Sequence, residues 1–117
     1  MKLAVVGNRN YTNYITIKSA IDQIRTHVAV TEIVSGGATG VDALAKRYAT
    51  EEKIKYVEFP ADWATYGKAA GPLRNQQIVD YCDKVLAFPT DNSPGTQDTI
   101  KRATNVSKIL AVVKVVV

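Results

Sequence analysis

Cysteine is almost missing from this chain: Cys82 is the only one among 117 residues. No intrachain disulfide can form, which excludes a disulfide scaffold and fits a reducing, cytoplasmic setting. No apolar run approaches the ~20 residues that span a bilayer. The C-terminal run Ile109–Val113 is interrupted by Lys114. Between Lys2 and Gly7 stand only Leu3, Ala4, Val5 and Val6, too few for the core of a signal peptide. No membrane partner is therefore expected. The single histidine, His27, lies at a predicted helix end, and no His/Cys cluster has metal-ligand spacing. Neither a metal nor a cofactor is expected. No Gly-x-Ser-x-Gly elbow and no Gly-Lys-Ser/Thr phosphate loop occurs. Blocks of Lys or Arg are also missing: 15 basic and 11 acidic residues are interspersed, for a net charge of +4. That balance mildly favours anionic ligands, and it lacks the basic stripe of a nucleic-acid surface, so nucleic acid is the disfavoured partner.

What is present is the composition of one domain over residues 1–117, at 46% hydrophobic and 22% charged. A chain of this length buries one core, and it is too apolar to be disordered. Strand-like and helix-like segments alternate throughout. Lys2–Val6 reads as a strand closed by Gly7. Ile17, Ala20, Ile21, Ile24 and Val28 then form a stripe at helical spacing. Glu32–Val34 is a second strand, followed by a helix with Val41, Leu44, Ala45 and Tyr48 inward. Lys55–Phe59 is a third strand. Pro72–Asp80 is a helix with Leu73, Ile78 and Tyr81 inward, and Cys82 continues its apolar stripe. Lys84–Phe88, a helix near Pro94–Ala103, and a last strand near Lys108–Val113 complete the order. This alternation predicts an α/β, Rossmann-like fold: about five mostly parallel strands with helices on both faces. Pro60–Gly71 is the longest segment without a pattern. The valine-rich end, Val112–Val117, suits an edge strand that pairs with another copy, so a homodimer or higher homo-oligomer is favoured.

Ligands of open parallel sheets bind outside the carboxyl ends of the strands. Four glycine- or polar-rich turns fall there. Gly7-Asn8-Arg9 follows strand one. Ser35-Gly36-Gly37-Ala38-Thr39-Gly40-Val41-Asp42 follows strand two, with Gly37 and Gly40 at the last two glycine places of a dinucleotide fingerprint and Ser35 at the first. Glycine allows close backbone approach, and the helix start that follows offers free N–H groups to an anion. Thr39 and Asp42 also fit a capping box. Asp62 and Trp63 follow strand three, Trp63 with an aromatic face for stacking or a hydrophobic lid, and Lys68 lies further along. Ser93, Gly95 and Thr96 follow strand four, with Ser93 as a cap before Pro94. Arg74 and Asn75 stand near the start of a predicted helix, where a cation opposes the dipole unless an anion or a carboxylate such as Asp62 compensates it.

In this order the motifs Gly7-Asn8-Arg9, Ser35–Ala45, Phe59–Trp63, Gly67–Asn75, Ala87-Phe88-Pro89 and Ser93–Thr99 resemble the YspA-like branch of the SLOG superfamily. The resemblance spans about residues 3–104. It implies a Rossmann-like domain that binds a nucleotide or nucleotide-derived ligand. Members of the superfamily include a DNA-processing protein A group that binds single-stranded DNA. The "lonely guy" phosphoribohydrolases cleave the base–ribose bond of nucleoside monophosphates, and other SLOG domains sense ADP-ribose-type signals. The hydrolases carry Pro-Gly-Gly-x-Gly-Thr-x-x-Glu. Gly95-Thr96 match its Gly-Thr, Arg74 resembles the arginine those enzymes use, and Thr99 stands where the glutamate belongs. Asp98, Asp42 and Asp62 are then the candidate substitutes for that carboxylate. The expectation is a protein that senses or sequesters a nucleotide-type small molecule. The alternatives are N-glycosidic hydrolysis and single-stranded DNA binding.

Overall fold

The computed structural model describes all residues from Met1 to Val117. Five strands, β1 (Lys2–Gly7), β2 (Glu32–Ser35), β3 (Lys55–Glu58), β4 (Lys84–Phe88) and β5 (Ile109–Val112), form one sheet in the order β3-β2-β1-β4-β5. Every pairing is parallel. β1 and β4 are central and buried on both sides, which is why they read as unbroken apolar runs. The edge strand β3 instead exposes Lys55 and Glu58, charges that discourage further pairing.

The pleat sorts each strand between two cores. Leu3 and Val5 pack with Ile17, Ile21, Val41, Ala45 and Tyr48, the inward stripes of α1 (Tyr14–Arg25) and α2 (Val41–Glu51). Ala4 and Val6 pack on the opposite face with Ile78, Val79, Cys82 and Ala103, on and around α4 (Ala70–Tyr81) and α5 (Pro94–Asn105). The chain moves outward from β1 to β3 and returns to β4 on the other side of β1. The carboxyl ends of β1 and β4 thus form the switch point, where Gly7 and Phe88 are register partners.

Several expectations shift. The segment before α4 is not irregular: it forms the short helix α3 (Trp63–Tyr66) and a 3-10 turn over Gly67–Ala69 that runs into α4. α4 starts at Ala70, so Pro72 is its third residue and Leu73, at 45% exposed, faces out. Val28 lies beyond α1 and is 43% exposed. The last regular strand ends at Val112. Past it, the Val113 and Val115 N–H groups still donate to Ala87 and Pro89 carbonyls (both 2.8 Å). Cys82 ends α4 and is buried, as a small apolar residue at its place would be. No helix is long and apolar enough to cross a membrane.

Candidate functional site

A cleft of about 1040 Å³ opens at the switch point, and only five of its 25 lining residues are hydrophobic. A pocket of that size and polarity suits a polar organic molecule. The turns after β1, β2, β3 and β4 all reach it.

The β1 turn is built around Asn8. Its amide donates to Ser93 Oγ (2.9 Å) and Thr90 Oγ1 (3.2 Å), and its Oδ1 accepts from the Asn10 N–H (2.7 Å). Asn8 borders the cleft, yet its polar atoms are consumed in tying the β1 and β4 turns together. Ser93 does the same from the other side, accepting from the Thr90 N–H (3.0 Å). It precedes α5 without making a side-chain cap, because its hydroxyl is committed to these loop bonds.

The β2 turn differs from its expected role. Gly40 has φ 71°, and a Cβ there would come within 2.3 Å of the Arg9 carbonyl carbon. It is the hinge on which the β1 turn rests, and it faces away from the cleft. The start of α2 is partly supplied with acceptors. The Val41 N–H donates to the Asn8 carbonyl (3.2 Å), and the Ala38 N–H donates to Asp42 Oδ2 (3.1 Å). Thr39 does not form a capping box with Asp42; its hydroxyl donates to the Arg9 carbonyl (2.8 Å). With its first N–H taken and the Asp42 carboxylate in its first turn, the α2 start is a poorer anion site than its glycines suggest. Ser35 is fully buried, donates to the Val5 carbonyl (2.8 Å) and lies outside the cleft.

The open donors sit at the start of α5. The first intrahelical bond there is Gln97 N–H to the Ser93 carbonyl (2.9 Å), so the Gly95 and Thr96 N–H groups precede the ladder. No atom lies within 4 Å of where a Gly95 Cβ would be. Thr96 is only 7% exposed, borders the cleft, and its hydroxyl has no partner in the chain.

Arg74 crosses the floor. Its Nη1 donates to the Gly36 carbonyl (2.8 Å) and its Nε to Asn75 Oδ1 (3.1 Å). The Asn75 amide in turn donates to the Gly95 carbonyl (3.3 Å) and Asp98 (3.0 Å). This relay fixes the guanidinium between the β2 turn and α5, and its Nη2 amino group keeps donors unused. Arg74 forms no ion pair, so Asp62 does not compensate it. Asp62 instead accepts from the Thr65 N–H (3.2 Å) to start α3, outside the cleft. Lys68 is exposed and also outside. Arg9 is exposed at the mouth. Trp63, 60% exposed, stands at the rim with its ring edge over Gly71.

The carboxylates divide by environment. Burial alone would raise the Asp98 carboxyl, but hydrogen bonds from Arg102 (2.8 Å) and Asn75 prevail and hold it below its ordinary range. Burial raises the Asp42 carboxyl, only partly offset by the nearby Ser35 hydroxyl, the Ala38 and Gly36 N–H groups and the Arg74 charge. Thr99, at the place of the hydrolase glutamate, is buried and its hydroxyl donates back to the Gly95 carbonyl (3.3 Å). With Asp98 paired to Arg102, Arg9 and Arg74 face Asp42 alone, and the cleft is net cationic.

Thirteen expected ligand contacts border this cleft: Gly7, Asn8, Arg9, Gly36, Gly37, Thr39, Asp42, Trp63, Arg74, Asn75, Ser93, Gly95 and Thr96. Ser35, Gly40, Asp62 and Lys68 do not. Asn10 and Asn92 border it unanticipated; both stand inside turns whose position pointed to the rim. His27 is remote and exposed.

A parallel α/β sheet in this strand order, with a polar cleft at its switch point, defines a Rossmann-like ligand-binding architecture. A family model described as the YspA, cpYpsA-related SLOG family matches residues 1–66. The Gene 61 protein of Mycobacterium phage D29 is 31% identical over 109 residues, covering 87% of each chain. The chain belongs to the YspA, cpYpsA-related SLOG family. Among solved structures, DNA processing protein A from Streptococcus pneumoniae superposes with a TM-score of 0.74 at 22% identity, over 97% of this chain and 49% of that one. DNA processing protein A from Helicobacter pylori, whose structure describes a single-stranded DNA binding mode, superposes with a TM-score of 0.70 at 20% identity, over 93% of this chain and 63% of that one. The chain therefore spans about half to two thirds of those proteins, and the likeness is one of fold.

Proposed function

We propose that the protein binds a phosphate-bearing nucleotide, or a nucleotide-derived signalling molecule of the ADP-ribose type, at the carboxyl rim of the sheet. It acts there as a sensor or a sequestering protein. The open donor set around the start of α5 carries this reading: the Gly95 and Thr96 N–H groups, the unpartnered Thr96 hydroxyl and the free Nη2 of Arg74 converge on one cleft. Helix N-termini favour phosphate through both geometry and dipole. Isothermal titration with nucleoside phosphates and ADP-ribose tests it. Arg74→Ala removes a charge-assisted hydrogen bond worth roughly 1.5–3 kcal/mol, so Kd rises about ten- to a hundredfold. Unchanged affinity in that variant removes the arginine from the site, and no binding by the wild type removes the function.

Turnover is disfavoured because Thr99 supplies no carboxylate. Incubation with AMP and chromatography of the products should detect no free base. Single-stranded DNA binding is the second reading, favoured by the fold shared with the Helicobacter pylori protein. Self-association belongs to the same proposal. Leu110 and Val112 are exposed on the edge strand β5, and a strictly monomeric sedimentation profile would remove it.

A further inference from the structure

Asp42 is the one charged residue among the buried polar side chains. It is only 6% exposed, and a buried carboxylate is costly unless its oxygens are supplied with donors. Oδ2 has the Ala38 N–H. Oδ1 has no partner in the chain, and no fully buried side-chain oxygen lacks one, so Oδ1 keeps an opening to the cleft that Asp42 borders. The Gly36 N–H and the Ser35 hydroxyl lie close enough to favour the carboxylate, but neither makes a well-directed hydrogen bond to Oδ1. The Ser35 hydroxyl proton is committed to the Val5 carbonyl. Arg74 packs against the same Gly36, but its guanidinium forms no ion pair. An unpaired acid and a cation with spare donors thus flank one glycine on the floor of one cleft.

Resting on the nucleotide reading above, we propose that Asp42 Oδ1 accepts a hydroxyl of the ligand's ribose, making the protein selective for ribonucleotides over deoxyribonucleotides. A carboxylate repels phosphate, so the part of the ligand that faces Asp42 carries donors and no charge. The sugar lies between phosphate and base. Phosphate is attracted to the start of α5 and to Arg74, and the exposed face of Trp63 at the rim suits the base. That leaves the sugar hydroxyls for the intervening floor. This assignment moves the ribose acceptor from Asp62, which starts α3 outside the cleft, to Asp42.

The test is titration calorimetry with the four nucleoside monophosphates, each beside its 2′-deoxy and 3′-deoxy counterparts, and ADP-ribose beside 2′-deoxy-ADP-ribose. The wild type should prefer a ribose form about tenfold or more, the scale of one hydrogen bond to a charged group. In Asp42→Ala the ratio should collapse toward one, and in Asp42→Asn, whose neutral amide oxygen is a weaker acceptor, it should shrink. Equal affinity of the wild type for ribose and deoxyribose forms, with binding still sensitive to Arg74→Ala, overturns the Asp42 role and leaves the nucleotide reading intact. An equal loss for both sugar forms in Asp42→Asn also overturns it, because that marks a brace for the Gly36–Thr39 turn. Absence of binding to every probe overturns both.

Discussion

Two glycines show opposite reasons for lacking a side chain. Gly40 combines a positive φ with the Arg9 backbone pressed against it. Strain of that kind costs on the order of 1–3 kcal/mol before any clash is counted. Gly40→Ala should therefore lower the melting temperature by several degrees in a thermal unfolding scan. Gly95 has neither a positive φ nor a neighbour within 4 Å. Gly95→Ala should raise the melting temperature, since alanine gains up to about 1 kcal/mol in a helix, while its methyl intrudes on the cleft and weakens nucleotide binding. A fall in both stability and affinity would show that Gly95 is needed by the fold. The buried Asp42 and the half-buried Asp98 carry opposite pH signatures. Asp98 is held below its ordinary 3.8, so it contributes stability above that pH and loses it as pH falls through the folded value. Asp42 is raised above 3.8, so its cost is absent in acid and appears as pH rises through and beyond that value. By linkage, urea unfolding between pH 3 and 7 should show Asp42→Asn gaining on the wild type as pH rises, and Asp98→Asn falling behind it.

At the scale of elements, the helix starts decide where an anion is welcome. Sequence spacing makes the starts of α2 and α5 look equivalent: each follows a strand and carries glycine. They differ because the Asn8 carbonyl takes the first N–H of α2 and the Asp42 carboxylate stands in its first turn, whereas the first turn of α5 carries no acid. The Asn8 contact lies in the tertiary structure and no local pattern announces it, whereas Asp42 is legible in the sequence. Asn8 is the pin of the arrangement, and its three side-chain bonds hold the β1 and β4 turns in register. Asn8→Ala leaves buried groups unpaired, at about 1–3 kcal/mol, and should loosen both turns. Amide exchange should quicken across residues 8–10 and 90–96 while the β1 and β4 cores stay protected. Uniform exchange throughout would mean that Asn8 supports the whole fold. The start of α4 was misplaced from sequence because Pro72 looks like a first-turn residue. The 3-10 turn before it feeds the helix from Gly67, and proline at the third position forfeits no ladder bond.

For the molecule as a whole, a charge of +4 without a basic stripe separates small ligands from polymers. Any single-stranded DNA affinity should fall steeply between 50 and 200 mM salt and yield to competing nucleotide, because phosphate contacts in an open groove release counterions. Fluorescence anisotropy of a labelled oligonucleotide measures this; DNA binding that is insensitive to salt and to nucleotide would reverse the order of the two readings. The alternation of apolar periods was enough to specify a parallel α/β sheet with its turns at one rim, since burial on two faces constrains each residue of β1 and β4 separately. Residue order along the chain also located Arg74, Thr96 and Asp42 near that rim. Which of those groups remain unsatisfied was settled by folding, because a hydrogen-bond vacancy depends on every partner that long-range contacts bring near. Asp62 is answered by Thr65 nearby and Ser35 by Val5 across the sheet, while Asp42 Oδ1 and Arg74 Nη2 stay open.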